Sequence, residues 1–337
     1  MNATPYRLIG SNPSPYSVKM RALMRYRRLP FVWEWRNPRN IEETKAVKPQ
    51  VIPILQYPDG SFRNDSTFVA LDLEERHKER SVLPDDPAQR FLNFLIEDMA
   101  DEWGTKCMFH YRWFYAQDQD FCSKWIAGEW GLGAADYGAV LERAAQFRER
   151  QVGRMALVGC TPENRPVIEE SYLRALRVLD EGLKQYPFIF GQRPTLADFG
   201  WFGQLFQLFM DPTPHQQMRL TAPRVCMWVP RVDDCSGVAG DARLVDPQGP
   251  LTVATLGLLK LAGDAYLPFL AANAHAIGNG AEEVTLPIWG MPYRQVTFRY
   301  QAKCYDWLRQ QFAALDNAAR ARLEPVLEEA GCLSYLR

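Results

Sequence analysis

Histidine is scarce, with four in 337 residues, and none is spaced as HExxH or HxH, which argues against a bound metal. No charge of one sign dominates. With 39 Lys and Arg against 40 Asp and Glu the formal net charge is −1, and a dedicated nucleic-acid partner calls for a strong basic excess. Long hydrophobic runs are missing too. Pro250–Leu261 is broken by polar residues and too short to span a bilayer, so no membrane partner is expected. Met1–Pro5 is short and polar with no apolar run behind it, which predicts a cytoplasmic protein. The seven cysteines (107, 122, 160, 226, 235, 304 and 332) are odd in number, without a CxxC pair. That pattern fits reduced structural thiols, and excludes a disulfide framework and a zinc site. There is no repeat, no low-complexity tract, and no GxSxG nucleophile elbow.

The chain is 47% hydrophobic and rich in aromatics, with 10 Trp, 14 Tyr and 18 Phe. Such a composition predicts a globular protein of one to three domains. Residues 5–80 alternate strand and helix patterns. Tyr6–Gly10 reads as a strand, Pro15–Arg28 as a helix and Phe31–Trp35 as a second strand. Ile41–Val47 is a short helix, Val51–Tyr57 and Ser61–Arg63 form a hairpin across Asp59-Gly60, and Asp65–Lys78 is a helix. The order β-α-β-α-β-β-α is that of a small α/β sandwich. Ser81–Ala88, with two prolines and two acids, reads as a linker. Helical periodicity follows, over Gln89–Trp113, Asp136–Val158, Pro162–Tyr186, Thr195–Met210 and Pro223–Arg231. The expected division is therefore 1–80, a linker at 81–88, an all-helical part at 89–235, and a mostly helical extension at 236–337 packed on it. Within the extension, helices are expected near Leu251–Ala276, Tyr300–Leu315 and Ala318–Ala330, and an extended piece at Val284–Val296.

Four motifs stand out, three that can carry chemistry and one that is structural. Ser14-Pro15 opens the first helix. Pro15 suits the first turn because its missing N–H would be unpaired there, which puts Ser14 at the N-cap. A hydroxyl beside free N–H groups and the positive helix end can cap the helix or hold an anion such as a thiolate. In Val51-Ile52-Pro53-Ile54-Leu55, a proline inside a strand pattern removes a ladder donor, and fits a cis bond with Ile52 facing a ligand. Asp65-Ser66 opens the next helix, as a cap or as a site for the carboxylate and amine of an amino acid. Thr195 and Asp198 are spaced as a capping box, a structural device.

In this order and spacing the four motifs resemble the cytosolic glutathione S-transferase superfamily, over roughly residues 5–235, with Pro223–Arg231 similar to its closing helix. The resemblance implies a thioredoxin-like α/β N-terminal domain and an all-α C-terminal domain. It makes Ser14 the catalytic serine that donates a hydrogen bond to the glutathione thiolate. The Ile52 backbone beside cis Pro53 pairs with the cysteinyl unit, and Asp65 and Ser66 hold the γ-glutamyl end. Ser17 stands where some classes carry a second cysteine. Many members have a lysine directly before the apolar-Pro pair for the glycyl carboxylate. Here Val51 stands there, and Lys48, Lys45 or Arg39 are the substitutes. The extension has no counterpart in the pattern. Family members are commonly homodimers, and the extension can reinforce the dimer, cap the pocket or block the dimer surface.

The energetics are adequate. Ionising a thiol of pKa about 8.5 at neutral pH needs about two units, or about 2.7 kcal/mol. A hydrogen bond to a charged group supplies about 1.5–3 kcal/mol, and a helix N-terminus about 0.3–2 kcal/mol. No cysteine precedes Cys107, so redox turnover by a protein thiolate at the helix start is excluded, and conjugation or thiolytic displacement is favoured. The expected co-substrate is glutathione, without metal, and the partner a small hydrophobic or aromatic electrophile. Candidate pocket residues are Tyr16, Met108, Tyr111, Trp113, Phe114, Tyr115, Trp201, Phe202 and Phe206. Trp125 and Trp130, set among Gly128 and Gly131, suggest a loop covering the pocket. The rival readings are a non-catalytic binding or assembly protein of the same fold, and a hydrolase with Ser14 as nucleophile. Nothing in the sequence places His77 or His110 near Ser14 for the latter.

Overall fold

The computed structural model describes residues 4–131 and 136–337. Strand β1 (Tyr6–Gly10) leads into helix α1 (Pro15–Tyr26), then β2 (Phe31–Trp35), α2 (Pro38–Glu43), β3 (Ile54–Gln56), β4 (Phe62–Asn64) and α3 (Ser66–Arg76). The sheet order is β2-β1-β3-β4. β1 and β2 run parallel with Leu8 opposite Trp33, β3 lies antiparallel to β1 with Leu8 opposite Leu55, and β4 is antiparallel to β3. This is the thioredoxin-like arrangement. Leu8, Ile9 and Gly10 are all buried, because both faces of β1 are covered. Strand β3 starts three residues later than its apolar pattern suggests. Ile52–Pro53 is a cis bond, and Val51–Pro53 sits in a bend outside the ladder.

The helical part begins at Pro87, capped by Asp86, whose Oδ1 accepts from the Gln89 N–H at 2.9 Å. Helix α4 (Pro87–Met99) passes through a π turn at Ala100–Gly104 into α5 (Thr105–Phe114). Then come α6 (Ala116–Gly131), α7 (Tyr137–Val152), α8 (Arg165–Gly182), α9 (Leu196–Met210), α10 (Pro212–Thr221) and α11 (Pro223–Asp233). The loop expected around Trp125 and Trp130 is instead helix α6, whose glycines lie in and at the end of its last turn. Helix α9 is apolar nearly all round because it is central, with α1, α4, α5 and α11 packed about it. A Cβ on Gly203 would stand 2.6 Å from the Pro15 carbonyl oxygen, so α1 and α9 meet where only glycine fits. The Thr195 box forms as expected. The Asp198 carboxylate accepts from the Thr195 N–H and hydroxyl at 2.8 and 2.9 Å, and from the Ile189 N–H at 2.8 Å.

The extension folds onto this body. Helix α12 (Val253–Leu261), a π turn at Ala262–Tyr266 and α13 (Leu267–Gly278) make one 26-residue helical run, whose most apolar 18 residues have a mean hydropathy of 1.3. It is long and apolar enough to cross a membrane, but two-thirds of that 18-residue stretch is buried inside the protein, and the run packs largely against α8, α4 and the later helices. The extended piece is a hairpin, β5 (Glu283–Ile288) and β6 (Met291–Val296), turning at Trp289-Gly290 with both φ positive. Helices α14 (Arg299–Ala313), α15 (Asn317–Glu329) and α16 (Leu333–Leu336) close the chain. Phe91 meets Phe312 at 5.4 Å between centroids, and the extension's buried residues join a core shared with the sheet and α4.

Candidate active site

Ser14 caps α1. Its Oγ accepts from the Ser17 N–H at 3.3 Å and from the Ser17 hydroxyl at 3.0 Å. The loop before it is held from the helical side by three buried residues. Arg112 of α5 donates to the Pro13 carbonyl at 2.7 Å while gripping Asp211 through two nitrogens at 2.9 and 3.0 Å. Gln207 of α9 donates to the Asn12 carbonyl at 2.9 Å. Glu129 of α6 accepts from the Ser11 hydroxyl and the Asn12 N–H, both at 2.9 Å. Sequence reasoning missed these residues, since a buried arginine and a glutamate far apart in sequence carry no local pattern. On the sheet side, a Cβ on Gly10 would stand 2.8 Å from the Ser17 hydroxyl oxygen, so glycine makes room for the residue that meets Ser14.

Two cavities meet at Tyr16 and Ile52, which line both. The smaller, about 270 Å³, is walled by Ser14, Met108, Phe109, Trp113, Trp130 and Phe147 among others. It is a largely apolar slot with Ser14, Arg112 and Gln151 among the polar residues of its wall. The larger, about 480 Å³, is lined by Pro53, Asp65, Ser66, Asp101, Glu102 and Trp307 among others. Asp65 has φ +73° and its Oδ1 accepts from the N–H groups of Thr67 and Phe68 at 3.2 and 3.4 Å. A non-glycine residue with positive φ is uncommon and carries local backbone strain.

The π turn aims a group of acids at the larger cavity, and such turns recur at functional sites. Lys19, fully buried on α1, ties them together. Its ammonium bonds Asp101 at 2.6 Å and Thr67 at 3.3 Å, and pairs with Glu97. Burial alone would lower the Lys19 pKa, but Asp101 and Glu97 hold it above the ordinary value. Burial pushes Asp101 up to about 7 against the pull of Lys19, and pushes Glu102 up to about 7 against the lowering influence of the nearby Gln301 amide. Burial also raises Asp98, whose carboxylate accepts from the Tyr266 hydroxyl at 2.5 Å, and raises Asp65.

The structure brings Ser14, Tyr16, Ile52, Pro53, Asp65, Ser66, Met108 and Trp113 to these cavities. It does not bring Tyr111 or Phe114 there. Tyr111 is wholly buried with its hydroxyl on Gln217 at 2.6 Å, because its face of α5 turns toward α8 and α10. Phe114 packs on His110 and Tyr115 at the far end of α5. Tyr115 hydrogen-bonds Glu169, and Trp201, Phe202 and Phe206 line neither cavity. Lys48 is exposed beside a cis Pro49 and is not on the wall. His77 is bonded to the Tyr6 hydroxyl at 2.9 Å and His110 to Glu169 at 3.0 Å, so neither is a base for Ser14.

The sequence model of the glutathione S-transferase N-terminal domain matches residues 13–76, and that of the C-terminal domain matches 139–229. No curated protein sequence matches the chain. Among solved structures, a glutathione S-transferase from Methylobacterium radiotolerans in complex with glutathione sulfonate is 20% identical, over 73% of this chain and 100% of that one, at a TM-score of 0.45. A β-etherase from Sphingobium sp. strain SYK-6 is 20% identical over 68% of this chain and 95% of its own, at 0.48. Ure2p5 from Phanerochaete chrysosporium, cocrystallized with a glutathionyl dinitrobenzene, is 16% identical over 69% and 90%, at 0.43. Both domain models match in order, on a thioredoxin-like sheet followed by a helical bundle, so residues 13–76 and 139–229 carry the N- and C-terminal domains of the glutathione S-transferase superfamily.

Proposed function

We propose that this protein is a glutathione-dependent transferase. Glutathione lies across the two cavities, with its γ-glutamyl end at Asp65 and Ser66 and its sulfur at Ser14. The Ser14 hydroxyl donates to the thiolate and the α1 N-terminus adds its dipole, while the thiol proton passes to solvent. The thiolate then attacks an apolar or aromatic electrophile held in the slot of Met108, Trp113, Trp130 and Phe147. A carbon–sulfur bond forms, and where the electrophile carries a leaving group, that bond breaks and the group departs with its electron pair.

The observation that carries this reading is the state of Ser14. Its oxygen accepts two bonds from Ser17, which leaves its own hydrogen to donate, and the residue lines the slot at the helix start. A hydrogen bond to a charged group is worth about 1.5–3 kcal/mol, enough with the helix end to ionise a thiol near neutral pH. No base is needed, so Ser14 acts as a stabiliser and not as a nucleophile. A homodimer in the cytoplasm belongs to the same proposal.

A non-catalytic binding protein is the second reading. It is favoured by the larger cavity's wall, where no lysine, arginine or histidine stands among the described residues to take the glycyl carboxylate. Retention on immobilised glutathione, followed by turnover of a chlorinated dinitrobenzene with wild type and Ser14→Ala, separates the two. Retention with Ser14-dependent turnover supports the transferase. Retention without turnover supports the binding protein, and no retention overturns both.

A further inference from the structure

We propose that the C-terminal extension is part of the thiol-substrate site: helix α14 closes the γ-glutamyl end, and the chamber it closes selects an ammonium group. This rests on the glutathione reading above and says which part of the chain completes the site.

Tyr300, Cys304 and Trp307 lie at i, i+4 and i+7 on α14, on one face, and all three line the larger cavity with Asp65 and Ser66. The extension therefore supplies a wall that the thioredoxin-like and helical parts leave open. That wall is fixed in place. The Trp307 ring lies parallel to Phe68 of α3, with centroids 5.0 Å apart and planes at 13°, and meets the edge of Phe94 of α4 at 4.6 Å. The entry to α14 is pegged by Asn273 of α13, whose side chain bonds the Phe298 carbonyl at 3.0 Å and the Phe298 N–H at 2.9 Å. Tyr305 donates to the Tyr335 carbonyl at 2.7 Å, and Gln301 to the Glu102 carbonyl at 3.3 Å.

The chemistry of the chamber points to its ligand. Four carboxyl groups line it, those of Asp65, Asp98, Asp101 and Glu102, with no cationic side chain among the described lining residues. Asp101 is 8% exposed. Its Oδ2 takes the Lys19 ammonium, and its Oδ1 is buried with no hydrogen-bond donor. A buried carboxylate oxygen without a donor calls for one, and an ammonium brings three. The γ-glutamyl unit supplies the one ammonium of glutathione. Ser66, at the N-terminus of α3, takes the neighbouring carboxylate. The site so formed is complete within one chain.

Calorimetric titration of the full chain with S-methylglutathione tests this, using wild type, Tyr300→Ala, Trp307→Ala and Cys304→Trp, which fills the chamber. Wild type is also titrated with the N-acetylated ligand, which lacks the ammonium. Wild type should bind, Cys304→Trp and Trp307→Ala should weaken binding tenfold or more, and N-acetylation should do the same. Tyr300→Ala, at a half-exposed position that keeps the fold, should weaken it severalfold and decides the matter if the other variants do not fold. Binding by wild type that α14 substitutions leave unchanged overturns the role of the extension and leaves the glutathione reading standing. Equal binding of the N-acetylated ligand overturns the ammonium assignment. Absence of binding by wild type overturns the glutathione reading itself.

Discussion

The Ser17 hydroxyl donates to the Ser14 hydroxyl oxygen at 3.0 Å, one turn along the same helix. Ser17 is fully buried and Ser14 lines the slot, so with glutathione bound as proposed the pair would form a two-step chain ending at the substrate sulfur. Each donor in such a chain polarises the next. Ser17→Ala removes one neutral bond worth about 0.5–1.5 kcal/mol. Its expected effect is a loss of about two- to tenfold in kcat/KM near pH 6.5, an upward shift of the pH–rate profile, and little change in the KM for glutathione. A steady-state pH series on the variant measures all three.

Arg112 is one of the three buried residues that hold the loop carrying Ser14. Removing one partner of a buried pair leaves an uncompensated charge and costs about 3–5 kcal/mol. Arg112→Ala strands the buried Asp211 carboxylate and frees the Pro13 carbonyl. Urea unfolding should show a loss of that size, and the folded fraction should have a depressed kcat.

Asp101 and Glu102 make stability depend on pH and, if the ammonium site proposed above is right, ligand binding too. Both titrate near 7 in the folded protein, above the ordinary carboxylate range. The groups facing them are Lys19 from α1, Asp65 from α3, Glu97 and Asp98 from α4, Lys106 from α5, and Tyr300 and Cys304 from α14. Between about pH 4 and about pH 7 the folded state binds more protons than the unfolded chain, so stability falls as pH rises. An ammonium ligand favours the ionised carboxylates. The melting temperature of the free protein should therefore drop from about pH 5.5 to about pH 8, while the affinity for S-methylglutathione rises about tenfold or more. That ligand has no titrating thiol, so the carboxylates alone set the trend.

Trp113 and Tyr111 lie two positions apart on α5 and have opposite expected behaviour. Trp113→Ala opens the slot and should raise the KM for an aromatic electrophile severalfold. Tyr111→Phe leaves the slot intact and should cost about 1 kcal/mol of stability through its lost bond to Gln217, with KM unchanged. Kinetics and thermal unfolding of the two variants check the contrast.

Much of this was legible in the sequence where a local rule applied. Ser14-Pro15, Ile52-Pro53, Asp65-Ser66 and the Thr195–Asp198 box are short-range devices, and each forms where its residues stand, although the positive φ of Asp65 is not one its residue type favours. The aromatic pocket was less legible. Spacing on α5 names several aromatic residues but does not say which face meets the slot, and the neighbours α6, α8 and α10 decide that. Helix α6 was missed because Gly128 and Gly131 flank Trp130, and the Glu129 contact that ties its end to Ser11 is 118 residues away in sequence. The acids of the π turn and the α14 wall come together only in three dimensions, since Trp307 and Phe68 are distant in the chain.

The account stands on the Ser14 hydrogen bond to a thiolate. Its most direct test is the ultraviolet titration of the thiol of glutathione bound to wild type and to Ser14→Ala. Wild type should hold the bound thiol pKa well below that of a free thiol, and Ser14→Ala should raise it by about 1–2 units, the equivalent of one charge-assisted bond. An identical titration in the two proteins contradicts the account.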